Sequence, residues 1–521
     1  MKTTYVTTPL YYVNASPHIG HSYTNIAADC YARYRRLRGE QVFFLTGTDE
    51  HGQKIAQAAL ASGKTPQQFA DDVVVHFQSL WERLRISHDD FIRTTQPRHE
   101  EAVKRIVAAW ERAGKLRKSS YQGWYCTPDE TFWTDAELAE LGRPVCPACQ
   151  RPLERTQEEG WYLELEAHRG WLAGHVKAHP EFVRPESRRN ELMGLLEAPL
   201  PEHLCITRPK TRLTWGIEAP FSPDHVIYVW IDALLNYITV PGYPADADRF
   251  SGIWPADIHF IGKDILRHHA LYWPIMLHAL GFTDEQMPRT IFAHGWWRIG
   301  EQKMSKSLGN IIDPSAVLTH VLAAQPHAAD VYRYFLLREV PFGQDGGFSE
   351  DALRVRLNAD LGNDLGNLVH RTLSMIERYE GGAIPAGDGL GSEDRALREA
   401  VQALPGTLDA AMADVQFSSA LEAIMRVISQ ANQYIESQAP WTLAKQGDSR
   451  RLRAVLRTLA ETIRAASILL EPFMPGVAAA IRAQLGLGEA PRLLADAAAW
   501  PGLADGQRLG PKAVLFPKGT S

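Results

Sequence analysis

The sequence predicts an α/β chain in which a parallel sheet is interrupted by an insertion and followed by a bundle of helices. Three observations carry that reading. Strand-like runs alternate with amphipathic helices at the start of the chain. The same alternation returns after residue 219, and beyond residue 347 only Ala/Leu/Arg/Glu helix texture remains.

Tyr5 to Thr8 read as a short buried strand, and Asn14-Ala15-Ser16-Pro17-His18 as the turn after it. In the helix that follows, Ile19, Tyr23, Ile26, Ala27, Cys30, Tyr31 and Tyr34 form one apolar stripe at three- and four-residue spacings. Arg33, Arg35, Arg36 and Arg38 crowd its far end, where the helix dipole favours cations, and Gly39 suits the stop. Val42 to Leu45 form the next strand, ending in Thr46-Gly47-Thr48-Asp49-Glu50-His51-Gly52. Strand, helix and strand at this spacing make a βαβ unit with its loops at one edge of the sheet, a Rossmann-like arrangement. Neither Gly-x-Gly-x-x-Gly nor a P-loop follows the first strand, which excludes the usual dinucleotide and Walker-type sites.

These signals divide the chain into a first half-domain at 1–113 and an insertion at 114–219, rich in Pro, Trp and charge. The second half-domain, 220–295, has strands expected at His225–Trp230, Ile258–Ile261 and Thr290–Ala293. A junction follows at 296–347, then an α-helical bundle at 348–521 with breaks at Pro405 and Pro440 and a loose tail after about Leu487.

Composition is that of a globular protein, 45% hydrophobic and 22% charged. A net charge of −6 gives no global attraction for a polyanion, so a nucleic-acid partner requires a local basic surface. No apolar run is long enough to span a membrane. The N-terminus lacks a leader-like segment, so a cytoplasmic protein is expected. Five cysteines are too few and too uneven for a disulfide framework.

Four constellations carry chemistry. Pro17-His18-Ile19-Gly20-His21 sets two imidazoles at a helix N-terminus, where free N–H groups favour anions such as a triphosphate; the plainer alternative is a helix cap. Lys303-Met304-Ser305-Lys306-Ser307 follows a turn and makes a cationic clamp for phosphates, although a short Lys/Ser loop alone reads as surface. Cys126, Asp129, Cys146 and Cys149 have C-x₂-D…C-x₂-C spacing, which fits a tetrahedral structural Zn²⁺ site with one carboxylate ligand. A helix near Leu357 carries Leu357, Leu361, Leu365 and Leu368 on one face and Asn363, Asn367 and Arg371 on the other.

With both the His-Ile-Gly-His and Lys-Met-Ser-Lys-Ser signatures, the sequence resembles the class I aminoacyl-tRNA synthetases and, within them, the methionyl-tRNA synthetases. The likeness extends to Tyr228-Val229-Trp230-Ile231-Asp232-Ala233, Phe260-Ile261-Gly262-Lys263-Asp264 and Gln438-Ala439-Pro440-Trp441. The resemblance implies an enzyme that joins L-methionine to ATP, with Mg²⁺, and passes the acyl group to tRNA(Met), initiator included. It implies ATP contacts from His18, Gly20, His21, Lys263, Asp264, His294 and Lys306, with Lys303 assisting the transition state. It implies a methionine pocket of Leu10, Tyr12, Asp49, Trp230, Ala233, Tyr237, Ile265, His269 and Trp273, with Asp49 on the ammonium group. Asn363, Asn367, Arg371 and Trp441 are implied as readers of the CAU anticodon.

The chain departs from relatives at Pro9, Leu234 and His268. A monomer is expected, because no appended C-terminal dimerisation module follows the bundle. Two other readings stay open: a class I synthetase for cysteine or a branched amino acid, and an RNA-binding relative without catalysis.

Overall fold

The computed structural model describes residues 2–127, 129–133, 135, 138, 143–147, 150–299, 302–303, 312–387, 390–490 and 492–517. It divides into two compact units: Met1–Pro17, Val42–Leu80 and His88–His294 form one, and His18–Gln41, Trp81–Ser87 and Gly295–Ser521 the other.

The first unit is built on a six-stranded parallel sheet. Its strands in chain order are β1 (Thr4–Tyr12), β2 (Val42–Asp49), β3 (Asp90–Arg93), β4 (Val183–Arg184), β5 (Ile258–Gly262) and β6 (Ile291–His294). Their spatial order is β3-β2-β1-β5-β6-β4. The chain therefore runs outward from β1 in one direction and from β5 in the other. A ligand crevice belongs at that reversal, outside the carboxyl ends of the strands. The strands are apolar on both faces, as a covered parallel sheet requires, with Tyr5, Val6, Phe44, Leu45, Ile92, Phe260 and Ile261 all buried. The edge strand Val183–Arg184 comes from within 114–219, the stretch that the sequence sets apart as an insertion.

The rest of that stretch holds a four-stranded antiparallel sheet, in the order Thr131–Trp133, Leu116–Cys126, Glu154–Glu164 and His203–Cys205. A buried bidentate pair joins Arg208 to Glu158 at 2.9 and 2.7 Å, with the guanidinium over the Tyr125 ring.

One expected strand is corrected. Within His225–Trp230 only His225–Ile227 is strand, and it pairs antiparallel with Thr207–Pro209 rather than joining the main sheet. Val229–Thr239 is helix, with Val229 to Ile238 buried throughout. An apolar run that long satisfies its own backbone as a helix and can be covered on every side.

In the second unit the helix Ile19–Leu37 starts at His18 and stops at Gly39, whose φ of +82° a side chain would resist. Its Asp29 is fully buried between Arg33, at 2.8 Å, and Arg333, at 2.7 Å. Burial opposes ionisation there, but the two guanidiniums and Ser87 hold the carboxyl down at about 2. The helices Ser392–Ala413, Phe417–Gln438, Ser449–Leu469 and Pro475–Gln484 make the bundle. The tail after them is not loose. Leu503, Leu515 and Phe516 are buried, and Arg464 donates to the Asp496 and Ala499 carbonyls at 2.7 and 2.5 Å. No helical or strand periodicity marks it, because Pro and Gly interrupt it and the tail is held in part through its backbone carbonyls.

Candidate active site

In the first unit, chemistry-bearing residues gather at the carboxyl ends of the sheet. Tyr12 ends β1, Asp49 ends β2 and stands opposite Tyr12 in the register, and His294 ends β6. Lys263, Asp264 and Ile265 form the turn directly after β5.

Asp49 is buried, and its Oδ1 has no hydrogen-bond partner among the described residues; neither does the Tyr12 hydroxyl. Burial raises the Asp49 carboxyl well above the ordinary carboxylate range, and the nearby Asp232 and Glu130 carboxylates raise it further. Glu130, also buried, is pushed up to about 7. A cluster of buried acids with an orphaned acceptor is a site waiting for a cation that donates hydrogen bonds.

The aromatic walls stand beside it. Trp230 meets Tyr12 edge-on at 6.2 Å, and His268 stacks on Trp230 at 3.6 Å. His268, the departure from relatives noted above, is thus a planar wall in its own right, kept neutral by burial. Tyr237 packs at 5.7 Å from Trp273, and its hydroxyl lies 2.9 Å from His269 Nε2. His269 Nδ1 lies 3.0 Å from the Ile265 carbonyl oxygen, which can only accept, so Nδ1 carries the proton and Nε2 accepts from Tyr237. Burial lowers His269 to about 4, consistent with a neutral ring. One π-helical turn at Arg267–Tyr272 precedes the helix Trp273–Ala279, and His269 and Trp273 both reach Tyr237. Leu10 and Ile265 pack half-buried against the same core, and Ala233 is buried.

Sequence reasoning assigned no role to the groups that hold this pocket in shape. Asp232 takes His51 Nδ1 at 2.7 Å on one oxygen and His99 Nε2 at 2.8 Å on the other, all buried. Glu50 receives Arg93 at 2.7 and 2.9 Å. The Glu130 carbonyl accepts from the Tyr228 hydroxyl, and its carboxylate accepts the Lys54 backbone N–H at 2.9 Å. The adjacency Asp49-Glu50-His51 was a signal; its partners 43 to 181 residues away were not.

Three of the four expected metal ligands converge. Cys126 Sγ and Cys146 Sγ lie 3.5 and 3.1 Å from Asp129 Oδ2, and the three donor atoms fall within 4.8 Å of one another. Two ligands on a tetrahedral Zn²⁺ with bonds of ~2.0–2.3 Å are separated by ~3.3–3.8 Å; the Cys126–Asp129 separation falls in that range and the Cys146–Asp129 one a little short of it, so two thiols and a carboxylate of the right types converge as that ion requires. Cys149 lies outside the described residues. The same loop is tied to the pocket, since the Trp230 indole N–H donates to the Asp129 carbonyl at 3.4 Å.

In the second unit His18 caps its helix. His18 Nδ1 accepts from the Gly20 N–H at 3.1 Å, His21 Nδ1 accepts from the His18 N–H at 3.2 Å, and the rings stack at 3.7 Å. With each Nδ1 an acceptor, each neutral ring carries its proton on Nε2, the nitrogen suited to donate to a phosphate. Gly20 matters for a different reason than ligand space: a Cβ there would come within 2.9 Å of His18 Cε1 and push the ring out of its cap. The cap and a phosphate role are compatible, because they use opposite nitrogens. Lys303 pairs through its backbone with Arg298, whereas Lys306 lies outside the described residues.

Farther along, Asn363 and Asn367 are exposed and Arg371 half-exposed, while Leu361, Leu365 and Leu368 are buried, as the spacing predicts. Leu357 is only half-buried. Arg371 lies over the Trp441 ring at 5.7 Å and pairs with Glu436 at 2.7 Å, and Trp441 is 37% exposed. A base arriving here meets an indole and a guanidinium already in contact. A Cβ on Gly366 would lie 3.1 Å from the Leu361 carbonyl oxygen and 3.2 Å from the Phe516 ring, so a side chain there would require one of them to give way.

Comparison with known proteins points one way. A model of "tRNA synthetases class I (M)" matches residues 4–152 and 136–373, and a model of the "anticodon binding domain of methionyl tRNA ligase" matches 384–521. A methionine--tRNA ligase of Caldanaerobacter subterraneus subsp. tengcongensis is 46% identical over 524 residues, covering 99% of this chain and 79% of that protein. The Mycobacterium tuberculosis methionyl-tRNA synthetase in complex with methionyl-adenylate superposes with a TM-score of 0.93 at 41% identity, covering 99% of this chain and 100% of that one. Its apo form superposes with a TM-score of 0.85 at 39% identity, covering 100% and 99%.

Proposed function

This chain belongs to the methionyl-tRNA synthetases, class I enzymes, and from that premise we propose how its own side chains divide the work. The enzyme activates L-methionine with ATP to methionyl-adenylate and pyrophosphate, then transfers methionine to the 3′ end of tRNA(Met).

The Asp49 carboxylate and the Tyr12 hydroxyl receive the methionine ammonium group; their two orphaned oxygens at paired strand ends carry this reading. The thioether lies among Trp230, Tyr237, His269 and Trp273, with Leu10, Ala233 and Ile265 completing the walls. A polarisable, unbranched sulfur side chain suits aromatic edges. His18 and His21 donate Nε2–H to ATP phosphates, and Gly20 keeps His18 in place to do so. Lys263, Asp264 and His294 add contacts to ATP, which enters with Mg²⁺. Lys306, assisted by Lys303, stabilises charge on the departing pyrophosphate. No side chain acts as a covalent nucleophile, so catalysis is positioning and charge stabilisation. ATP–pyrophosphate exchange across all amino acids tests the assignment: methionine should support exchange far above leucine, isoleucine and cysteine, and preference for any of these would overturn it.

Asn363, Asn367, Arg371 and Trp441 read the anticodon of tRNA(Met), initiator included. Trp441→Ala should raise the KM for tRNA about 5- to 150-fold, the loss of one stacked base at ~1–3 kcal/mol, while pyrophosphate exchange stays near wild type. Equal loss of both activities would make Trp441 a packing residue instead.

Cys126, Asp129, Cys146 and Cys149 would hold a structural Zn²⁺, which supplies cross-linking rather than reaction chemistry. Metal analysis of the purified enzyme should find about one zinc per chain. Chelation should lower the melting temperature and, through the Asp129–Trp230 hydrogen bond, weaken methionine binding; no melting shift on chelation would remove the metal from this account. A cytoplasmic monomer fits best: no helix among the described residues is long and apolar enough to cross a membrane, and the exposed large apolar residues each lie on a different segment.

A further inference from the structure

A second polar cavity, of about 230 Å³, opens in the second unit and takes no part in the chemistry above. Arg83, Arg85, His327 and Asp330 line it, together with the first turn of the helix Ala328–Arg338. Arg83 and Arg85 are exposed, and among the described residues neither guanidinium has a hydrogen-bonding or ion-pair partner. Arg85 adopts φ +57°, a left-handed conformation that a non-glycine residue adopts at a cost, and its backbone carbonyl is gripped by Arg33 at 2.6 Å. The side chain so presented lies over Gly476, where a Cβ would come within 3.0 Å of its Cζ. The helix itself has no side-chain cap, so its N-terminal dipole adds to the positive character of the cleft.

Asp330 is the second, independent observation. It is 1% exposed; one oxygen caps the Val477 N–H at 2.5 Å, while Oδ1 is buried without a partner among the described residues. His327 Nδ1 is orphaned in the same way. An acceptor set among cations fits a ligand that is anionic at one point and donates a hydroxyl hydrogen bond at another. A phosphate with its attached ribose has that pattern. The cavity is smaller than the roughly 300–1,000 Å³ that encloses cofactor-sized ligands, so it suits one unit of a continuous backbone rather than a whole free nucleotide. A chain of net charge −6 binds a polyanion only through such local basic features.

Resting on the tRNA-ligase reading above, the geometry points to this cleft as an RNA backbone site, with Arg83 and Arg85 on a phosphate and Asp330 accepting the neighbouring ribose 2′-hydroxyl. The test uses the full chain carrying Arg83→Gln and Arg85→Gln, exposed positions outside the catalytic machinery. Expected are unchanged methionine-dependent pyrophosphate exchange, a KM for a tRNA(Met) transcript raised about tenfold, and a log–log salt slope of tRNA binding shallower by roughly two. Unchanged tRNA binding and salt slope would overturn the proposal, as would inorganic phosphate or AMP binding wild type at micromolar concentration with no effect of the variant on tRNA.

Asp330→Asn, checked for an unaltered melting temperature, should narrow the preference for the RNA transcript over its 2′-deoxy counterpart; an unaltered preference would leave Asp330 only a helix cap and overturn the ribose contact. Asp330→Glu serves as the second variant should the first fail to fold. Direct tRNA binding is read without turnover, so absence of exchange in wild type would refute the enzymatic reading and leave the cleft's own result separate.

Discussion

Asp49→Asn is expected to lower kcat/KM for methionine about 30- to 1,000-fold while raising the melting temperature at neutral pH. The first effect follows from removing the charge that meets the substrate ammonium group in a buried site, where loss of one partner costs ~2–4 kcal/mol. The second follows from the sign of the pKa shift. A carboxyl raised above its unfolded value contributes stability at low pH, and that contribution is lost as pH rises through the folded value. Ionising this carboxyl beside Asp232 and Glu130 is therefore unfavourable in the folded enzyme without substrate, and asparagine removes that cost.

The same shift fixes the pH dependence. Methionine needs the ionised carboxylate, so the KM for methionine should rise as pH falls through the raised Asp49 value, and the variant should lose that dependence. Steady-state exchange across a pH series, with thermal melts on the same samples, reads both. Retention of kcat/KM within threefold would take Asp49 out of the ammonium site.

Lys306→Ala should lower pyrophosphate exchange about 100- to 1,000-fold, or ~2.7–4 kcal/mol, with little change in methionine binding. The reaction has no covalent intermediate on the protein, so charge appearing on pyrophosphate is the main quantity the protein can stabilise. The two imidazoles cannot substitute. Each has Nδ1 committed to a backbone N–H within the helix cap, and an imidazole presents at most one further N–H where a lysine ammonium presents three. Pre-steady-state adenylate formation separates the effect from binding: a slower chemical step at saturating ATP and methionine supports the role, and a near-wild-type step removes it.

The sheet could be read early because its signals are local, whereas the pocket residues came from the family resemblance. Asp49 ends a strand that periodicity identifies, and His18 and Gly20 lie within three residues of one another. Spacing also separated Leu361 and Leu365 from Asn363 and Asn367. What escaped was non-local. Asp232 gains its meaning from His51 and His99, 181 and 133 residues away, and a single sequence carries no mark of that meeting. Val183–Arg184 is too short to announce itself as a strand and exists because β6 offers an open edge. The run after Ile227 became helix because apolar continuity alone does not distinguish a buried strand from a buried helix.

The docking of Phe516 against Gly366 has a practical meaning for anyone who trims this enzyme. A deletion of Leu515 to Pro517 would uncover Gly366, on the turn between Asn363 and Asn367 far away in the sequence, and, on the anticodon role proposed for those two residues, would impair codon fidelity before it touched the rate of adenylate synthesis. A purification handle should be added after Ser521 rather than put in place of Phe516 and its neighbours.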